Sequence, residues 1–339
     1  MQHVERELKE HVLLCDEKGL LNPKAIGYSK YPFVQSNLRR QFMKKKRWNS
    51  WTVFGEDVAL TVLIAHFDYA AIAHLSFFHF ETQRYISEYV FVPFGRKVKL
   101  SEHVHHHASF HHAHATIDVR YEQRETKLRI QVPHFDSEAL YVNLTIAHPE
   151  RQQSMNVVVP TDRSTFQFSS KHFTLPTKGT IQLGSRRYEL QPYYSFAISE
   201  VTRGVWSRNT KWNWGAASQR SGDDRIGLNL GNGWTDGKGV TENGIFLNGK
   251  LSKIHEDVIF TYDAKRMRND WRIETKFSNR VDLSFTPFHH NYKRMNVRLG
   301  RIHMNRLYGY YNGVVRLEDG TVYRIRQMLG SVESVEAKW

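Results

Sequence analysis

The chain has 339 residues, 40% of them hydrophobic and 13% aromatic, enough to pack one large or two medium cores and too apolar for wholesale disorder. A net charge of +14, from 48 Lys and Arg against 34 Asp and Glu, favours anionic partners such as an acidic ligand head or an anionic membrane face. No zinc finger, RNP signature or basic zipper accompanies that charge, so specific nucleic-acid binding is not expected.

Cys15 is the only cysteine, which excludes an internal disulfide and a thiolate metal site, and fits a reducing, cytoplasmic setting. Residues 1–10 are charged and carry no apolar core of signal-peptide length. Apolar spacing predicts a helix over 4–15 and a short second one over 37–45. The basic run Lys44-Lys45-Lys46-Arg47 then leads into Trp48-Asn49-Ser50-Trp51 and reads as a solvated strand entrance. Residues 58–80 are apolar but interrupted by His66, Asp68 and His74, which argues against a membrane span.

Seven histidines follow: His103, His105, His106, His107, His111, His112 and His114. They predict a hairpin turning near 108–110. Facing imidazoles there could hold Zn, Ni or Cu, but so redundant a run lacks the fixed ligand set of a metal centre, and no metal is assigned to it. Beyond it the chain alternates apolar and polar residues, as over 115–121, 127–132, 139–146, 155–159, 179–183, 193–199, 281–285, 309–317 and 321–328. These short runs are rich in Val, Ile, Thr, Tyr and Phe, and Gly, Pro, Asn or Asp separate them. They predict antiparallel strands.

One motif occurs twice. Lys46-Arg47-Trp48-Asn49-Ser50-Trp51 returns as Lys211-Trp212-Asn213-Trp214, and each copy runs through a Gly-acidic turn into an alternating strand. The repeat predicts one β-rich module used twice. Residues 1–195 would hold the N-terminal segment and first barrel, and 196–339 the second. With no Gly/Ser or Pro linker at the seam, the halves should pack tightly.

Residues 15–23 (CDEKGLLNP), 27–30 (GYSK), 46–51 (KRWNSW), 212–217 (WNWGAA), 227–260 and 280–288 (RVDLSFTPF) resemble a bacterial family defined only as a domain of unknown function. Tyr28 stands where that family has Trp, and Lys30 where it has Arg. The family is similar, distantly, to AttH proteins, carotenoid hydratases and tocopherol cyclase. That resemblance implies an all-β fold of two tandem lipocalin-like antiparallel barrels with a few short helices, and a hydrophobic lipid or isoprenoid-like ligand in a barrel cavity.

Nine of the 21 glycines fall between Gly215 and Gly249, where a ligand or another backbone can come close. Polar groups gather there too. If residues 254–260 form a strand, His255 and Asp257 share a face, and the carboxylate can orient the imidazole. A carboxyl in an apolar barrel is raised in pKa and suited to protonating an alkene. The candidate catalytic set is therefore Glu242 or Asp236 as acid, His255 as base and Asp257 as its orienter. Trp234, Asn243, Trp214 and Arg280 are the candidate ligand contacts. The simpler reading is that these groups cap loops or pair with Arg225 or Arg280. No cofactor is expected. The expected function is hydrophobic-ligand binding, with a cofactor-free hydratase, cyclase or isomerase as the alternative.

Overall fold

The computed structural model describes residues 4–38, 40–162, 164–297 and 300–338. Two antiparallel sheets account for most of it. The first runs Arg84–Pro93, Ala70–His79, Val58–His66, Lys45–Phe54, Phe196–Val205, Phe166–Leu183, Glu138–Ala147, Glu125–Phe135, Ala115–Glu122, Ala108–His112, Val98–Leu100. The second runs Lys250–Lys253, Gly244–Leu247, Asp224–Asn232, Asn209–Ser221, Val322–Lys338, Gly300–Arg316, Val281–Val297, Trp271–Thr275, Val258–Thr261. The plan is the same in both. An opening strand lies beside the closing strand, three more strands follow it outward, and the others return on the far side. Each sheet curls around its own apolar core as a lipocalin-like half-barrel, which bears out the tandem all-β fold.

The duplicated motif occupies the opening strand of each half. Trp48 pairs with Thr202 and Ser50 with Glu200; Trp212 pairs with Val335 and Trp214 with Glu333. Superposing Trp48 on Trp212 therefore superposes Glu200 on Glu333. In the next strand, Ser50 faces Leu63 and Trp214 faces Gly231, so His66 and Asp68 correspond by count to Trp234 and Asp236.

Several expectations are corrected. Among the described residues there is no α-helix, only the 3-10 turn Pro23–Ala25. Residues 4–15 are extended because neighbouring chain satisfies their backbone: Leu8 N–H donates to Tyr28 O, and Val12–Leu13 pairs in parallel with Val34–Gln35. Residues 40–44 form no helix either, and Arg39 lies outside the described residues. Strand Phe196–Val205 pairs along its length with Lys45–Phe54 and with Phe166–Leu183, so the passage between halves falls at 206–208 rather than 195/196. The histidine run turns at 113–114, between Ala108–His112 and Ala115–Glu122, which leaves His103 to His107 in a loop.

The basic run is not a solvated entrance. Lys46 is buried beneath Tyr69, its ammonium 5.0 Å from the ring, and burial lowers its pKa to about 8. Lys45 and Arg47 reach Asp68 at 3.7 and 3.9 Å, and Arg47 also reaches Glu102 at 3.4 Å. No helix among the described residues is long and apolar enough to cross a membrane.

The halves meet through a third apolar cluster. Phe78 stacks on Tyr308 at 4.7 Å and Phe173 on Phe246 at 4.8 Å. Gly227 permits that approach, since a Cβ there would lie 2.9 Å from the Phe173 Cβ.

Candidate functional site

Alternation along the opening strand separates two environments. Trp51 and Val53 belong to the packed core of the first half-barrel, whereas Trp48, Ser50 and Thr52 leave the other face. There they wall a cavity of about 160 Å³ between the halves. The cavity so formed is not the barrel interior that the sequence led us to expect. The second half contributes Trp212, Trp214, Trp234, Arg306 and Glu333. Trp206, from the passage between halves, sits between the duplicated rings, 4.8 Å from Trp48 and 5.9 Å from Trp212.

Into this aromatic enclosure the fold brings charges. The Lys171 ammonium lies 2.7 Å from Glu242 Oε2, the two side chains being 5% and 3% exposed. Lys171 also stands over the Trp214 ring at 4.5 Å. Trp234 Nε1 donates to Glu242 Oε1 at 2.8 Å, and Trp214 Nε1 to Asn229 Oδ1 at 2.7 Å. Asn229 in turn donates to the Glu242 backbone carbonyl. Burial raises the Glu242 carboxyl above its ordinary range; Lys171 and the Trp234 N–H pull it back, and Glu200 pushes it up again.

Glu200 accepts from Thr202 at 2.8 Å, Ser50 at 3.2 Å and Trp48 Nε1 at 3.4 Å. Its counterpart Glu333 accepts from Arg306 Nε at 2.9 Å, and Arg306 reaches across the seam to Ser76 at 3.3 Å. His74 lines the first-half wall, stacked on Tyr89 at 4.2 Å. Burial, with Arg306 and Lys293 nearby, holds its pKa well below the ordinary value. The cavity thus presents carboxylates and ammonium or guanidinium groups at the edge of flat apolar walls.

Of the candidates read from sequence, Glu242, Trp234 and Trp214 come together here, and the others do not. Asn243 is buried but serves backbone, accepting from Gly231 N–H at 2.7 Å and donating to Glu256 O at 3.1 Å. Residues 254–257 are a loop and the strand begins at Val258, so His255 and Asp257 do not form a dyad. His255 lies 3.8 Å from Glu5 and from Glu318. Asp257 accepts from Gly237 N–H and pairs with Lys276, both at 3.3 Å. Asp236 stands in an exposed turn, raised by partial desolvation and, more weakly, by Asp257. Arg280 clips backbone, donating to Lys253 O at 2.6 Å, Ser252 Oγ at 2.8 Å and Arg316 O at 3.1 Å.

Lys171, Glu200, Trp206, Arg306 and Glu333 escaped sequence reasoning. The duplicated register alone could have paired Glu200 with Glu333.

On the opposite face of strand Phe166–Leu183 from Lys171 lies a second cluster, His105, His148 and His172, with ring nitrogens within 4.8 Å of one another. Burial lowers His105 to about 4 and His148 to about 3, and takes His172 well below its ordinary value, so all three are neutral near pH 7.

The architecture is shared with two solved structures. An AttH-like protein from Nitrosomonas europaea is 11% identical, with TM-score 0.54, over 87% of this chain and 92% of its own. Kievitone hydratase from Nectria haematococca is 13% identical, with TM-score 0.51, over 87% and 88%. At such identities the likeness concerns fold alone. Among curated proteins none matches the sequence significantly. The model of a domain of unknown function, DUF2804, matches residues 5–339, and the chain belongs to that family.

Proposed function

We propose that the protein binds a hydrophobic small molecule, ring-sized or a single prenyl unit, in the cavity between its halves. The observation that carries this reading is the aromatic lining itself: five tryptophans around one space, three from the two copies of the repeat, Trp206 from the passage between them and Trp234 from just past the next strand. The cavity's volume of about 160 Å³ sets the size of the part it can hold. An apolar cavity of about 150 Å³ accommodates benzene, so a long acyl or carotenoid chain would have to extend outside it. Lys171, Glu200, Glu242 and Arg306 supply polar contacts for a hydroxyl or an acidic head.

A second reading is hydration of an alkene. The Lys171 ammonium would pass a proton to Glu242, whose carboxyl is raised by burial; Glu242 would protonate one alkene carbon, and Glu200 would take the proton from the water that adds to the other. The tandem-barrel likeness to a protein named kievitone hydratase supports that reaction class without extending its substrate to this chain.

Native mass spectrometry of protein purified from its own host should reveal one small apolar adduct. Titration with a short prenyl alcohol should quench tryptophan fluorescence, and Ser50→Phe, which fills the cavity, should weaken binding at least ~10-fold. Equal binding by Ser50→Phe would refute the location. Turnover of the identified ligand that survives Glu242→Gln would remove hydration through that carboxyl.

A further inference from the structure

The three-histidine cluster lies apart from the proposed ligand cavity and is unexplained by it. We propose that His105, His148 and His172 form a binding site for a zinc-class divalent cation. The three residues are 43 and 24 apart in sequence and reach the site from separate elements. His105 comes from the loop before Ala108–His112, His148 follows strand Glu138–Ala147, and His172 lies inside Phe166–Leu183.

A bulge follows directly on the last of these. His172 pairs with Ser199 and Leu175 with Ala197, so two residues oppose one, and Thr174 takes a left-handed φ of 53°. Such bulges turn side chains out of the regular pleat and concentrate beside functional sites. The ring centroids are 5.0 Å apart for His105–His148, 4.9 Å for His105–His172 and 5.9 Å for His148–His172. Among the described residues this is the one group of three or more His, Cys, Asp or Glu side chains close enough to share an ion.

Hydroxyls hold two of the rings. Thr126 Oγ1 bonds His148 Nε2 at 2.9 Å and Ser170 Oγ bonds His172 Nε2 at 3.1 Å, the kind of outer partner that fixes ring orientation in metal centres. Tyr121 stacks on His105 at 4.6 Å and meets His148 edge-on at 5.3 Å, forming an aromatic wall.

Tetrahedral donors about 2.0 Å from zinc lie about 3.3 Å apart. The nitrogens, within 4.8 Å, must close by about 1.5 Å at most, a shift that side-chain rotation of the three rings can share. An all-imidazole donor set suits Zn, Cu or Ni over Mg or Ca, and three protein ligands leave a fourth position for water. The histidines at 111, 112 and 114 are no part of the site. His111 is instead engaged with Asp118 at 2.8 Å.

The test uses full-length protein without an affinity tag, titrated with Zn2+ against a chromophoric chelator and with Co2+ by visible absorption. Wild type should take one equivalent, give the intense d–d bands of a four-coordinate cobalt site, and unfold at higher temperature with Zn2+. His105→Ala, which changes only a loop residue, should weaken binding at least ~100-fold and lose both the bands and the thermal shift. His112→Ala/His114→Ala should retain all three. A wild type that binds no better than His105→Ala, or an equivalent lost only with His112 and His114, would overturn the assignment.

Discussion

Lys171 and Glu242 lie side by side between two sheets, both side chains almost wholly buried. The pair is held at 2.7 Å with the Trp234 N–H on the other carboxylate oxygen. A buried pair of this kind adds little net stability, but removing one partner strands the other. Lys171→Met should therefore cost about 3–5 kcal/mol in urea unfolding. Lys171→Met/Glu242→Leu should recover much of that loss; strict additivity in the double-mutant cycle would mean the two charges are uncoupled.

His74 contributes to the pH dependence with the same sign as His105, His148 and His172. Its folded pKa is well below 6.5, so in that interval the unfolded chain binds the extra proton. Stability is fully present above pH 6.5 and falls as the solution is acidified, by up to about 1.4 kcal/mol per pH unit for one such group. His74→Phe keeps the stack on Tyr89 and should flatten the slope between pH 6.5 and 5 by that amount. An unchanged slope would show that the imidazole is already charged in the folded protein.

At the scale of elements, the alternating runs were readable. Residues 115–121 and 139–146 are strands Ala115–Glu122 and Glu138–Ala147, because one face is core and the other solvent. Alternation misled where a loop imitates it: His255 and Asp257 stand two apart with no ladder to hold them. The N-terminal segment failed for another reason. Leu8, Leu14 and Cys15 are all buried at a spacing compatible with a helix, and a contact 248 residues away decides the outcome. Glu5 Oε1 accepts from the Lys253 ammonium at 2.9 Å, with side chains 1% and 0% exposed, and from Thr241 N–H and Oγ at 3.0 Å each. The chain is drawn out straight to deliver this carboxylate into the second half. Glu5→Gln should lower stability by about 3–5 kcal/mol in denaturant, since it strands Lys253, while Glu7→Gln, on an exposed side chain, should change it by less than ~0.5 kcal/mol. Equal effects would show that the segment only rests on the surface.

The whole molecule is where the sequence was least legible. The repeat revealed two similar modules, but strand Val58–His66 is buried at nearly every position, so hydropathy could not tell the barrel core from the seam. The repeat therefore did not show that Trp48 and Trp212 wall a space that neither half makes alone. The same shared surface should make unfolding cooperative. Phe78 packs on Phe288, His289 and Tyr308 of the other half, Arg306 reaches Ser76, and Glu5 ties the N-terminal segment to the second sheet. With the third cluster's apolar contacts spread over both partners, neither half can lose structure without exposing the other's share of it. Calorimetry should give one transition, with calorimetric and van't Hoff enthalpies equal. Phe78→Ala should cost about 3–5 kcal/mol and lower that single transition rather than split it. Two resolved transitions in the wild type, or a Phe78→Ala shift confined to one of them, would mean that each barrel stands alone and that the cavity between them opens independently of folding.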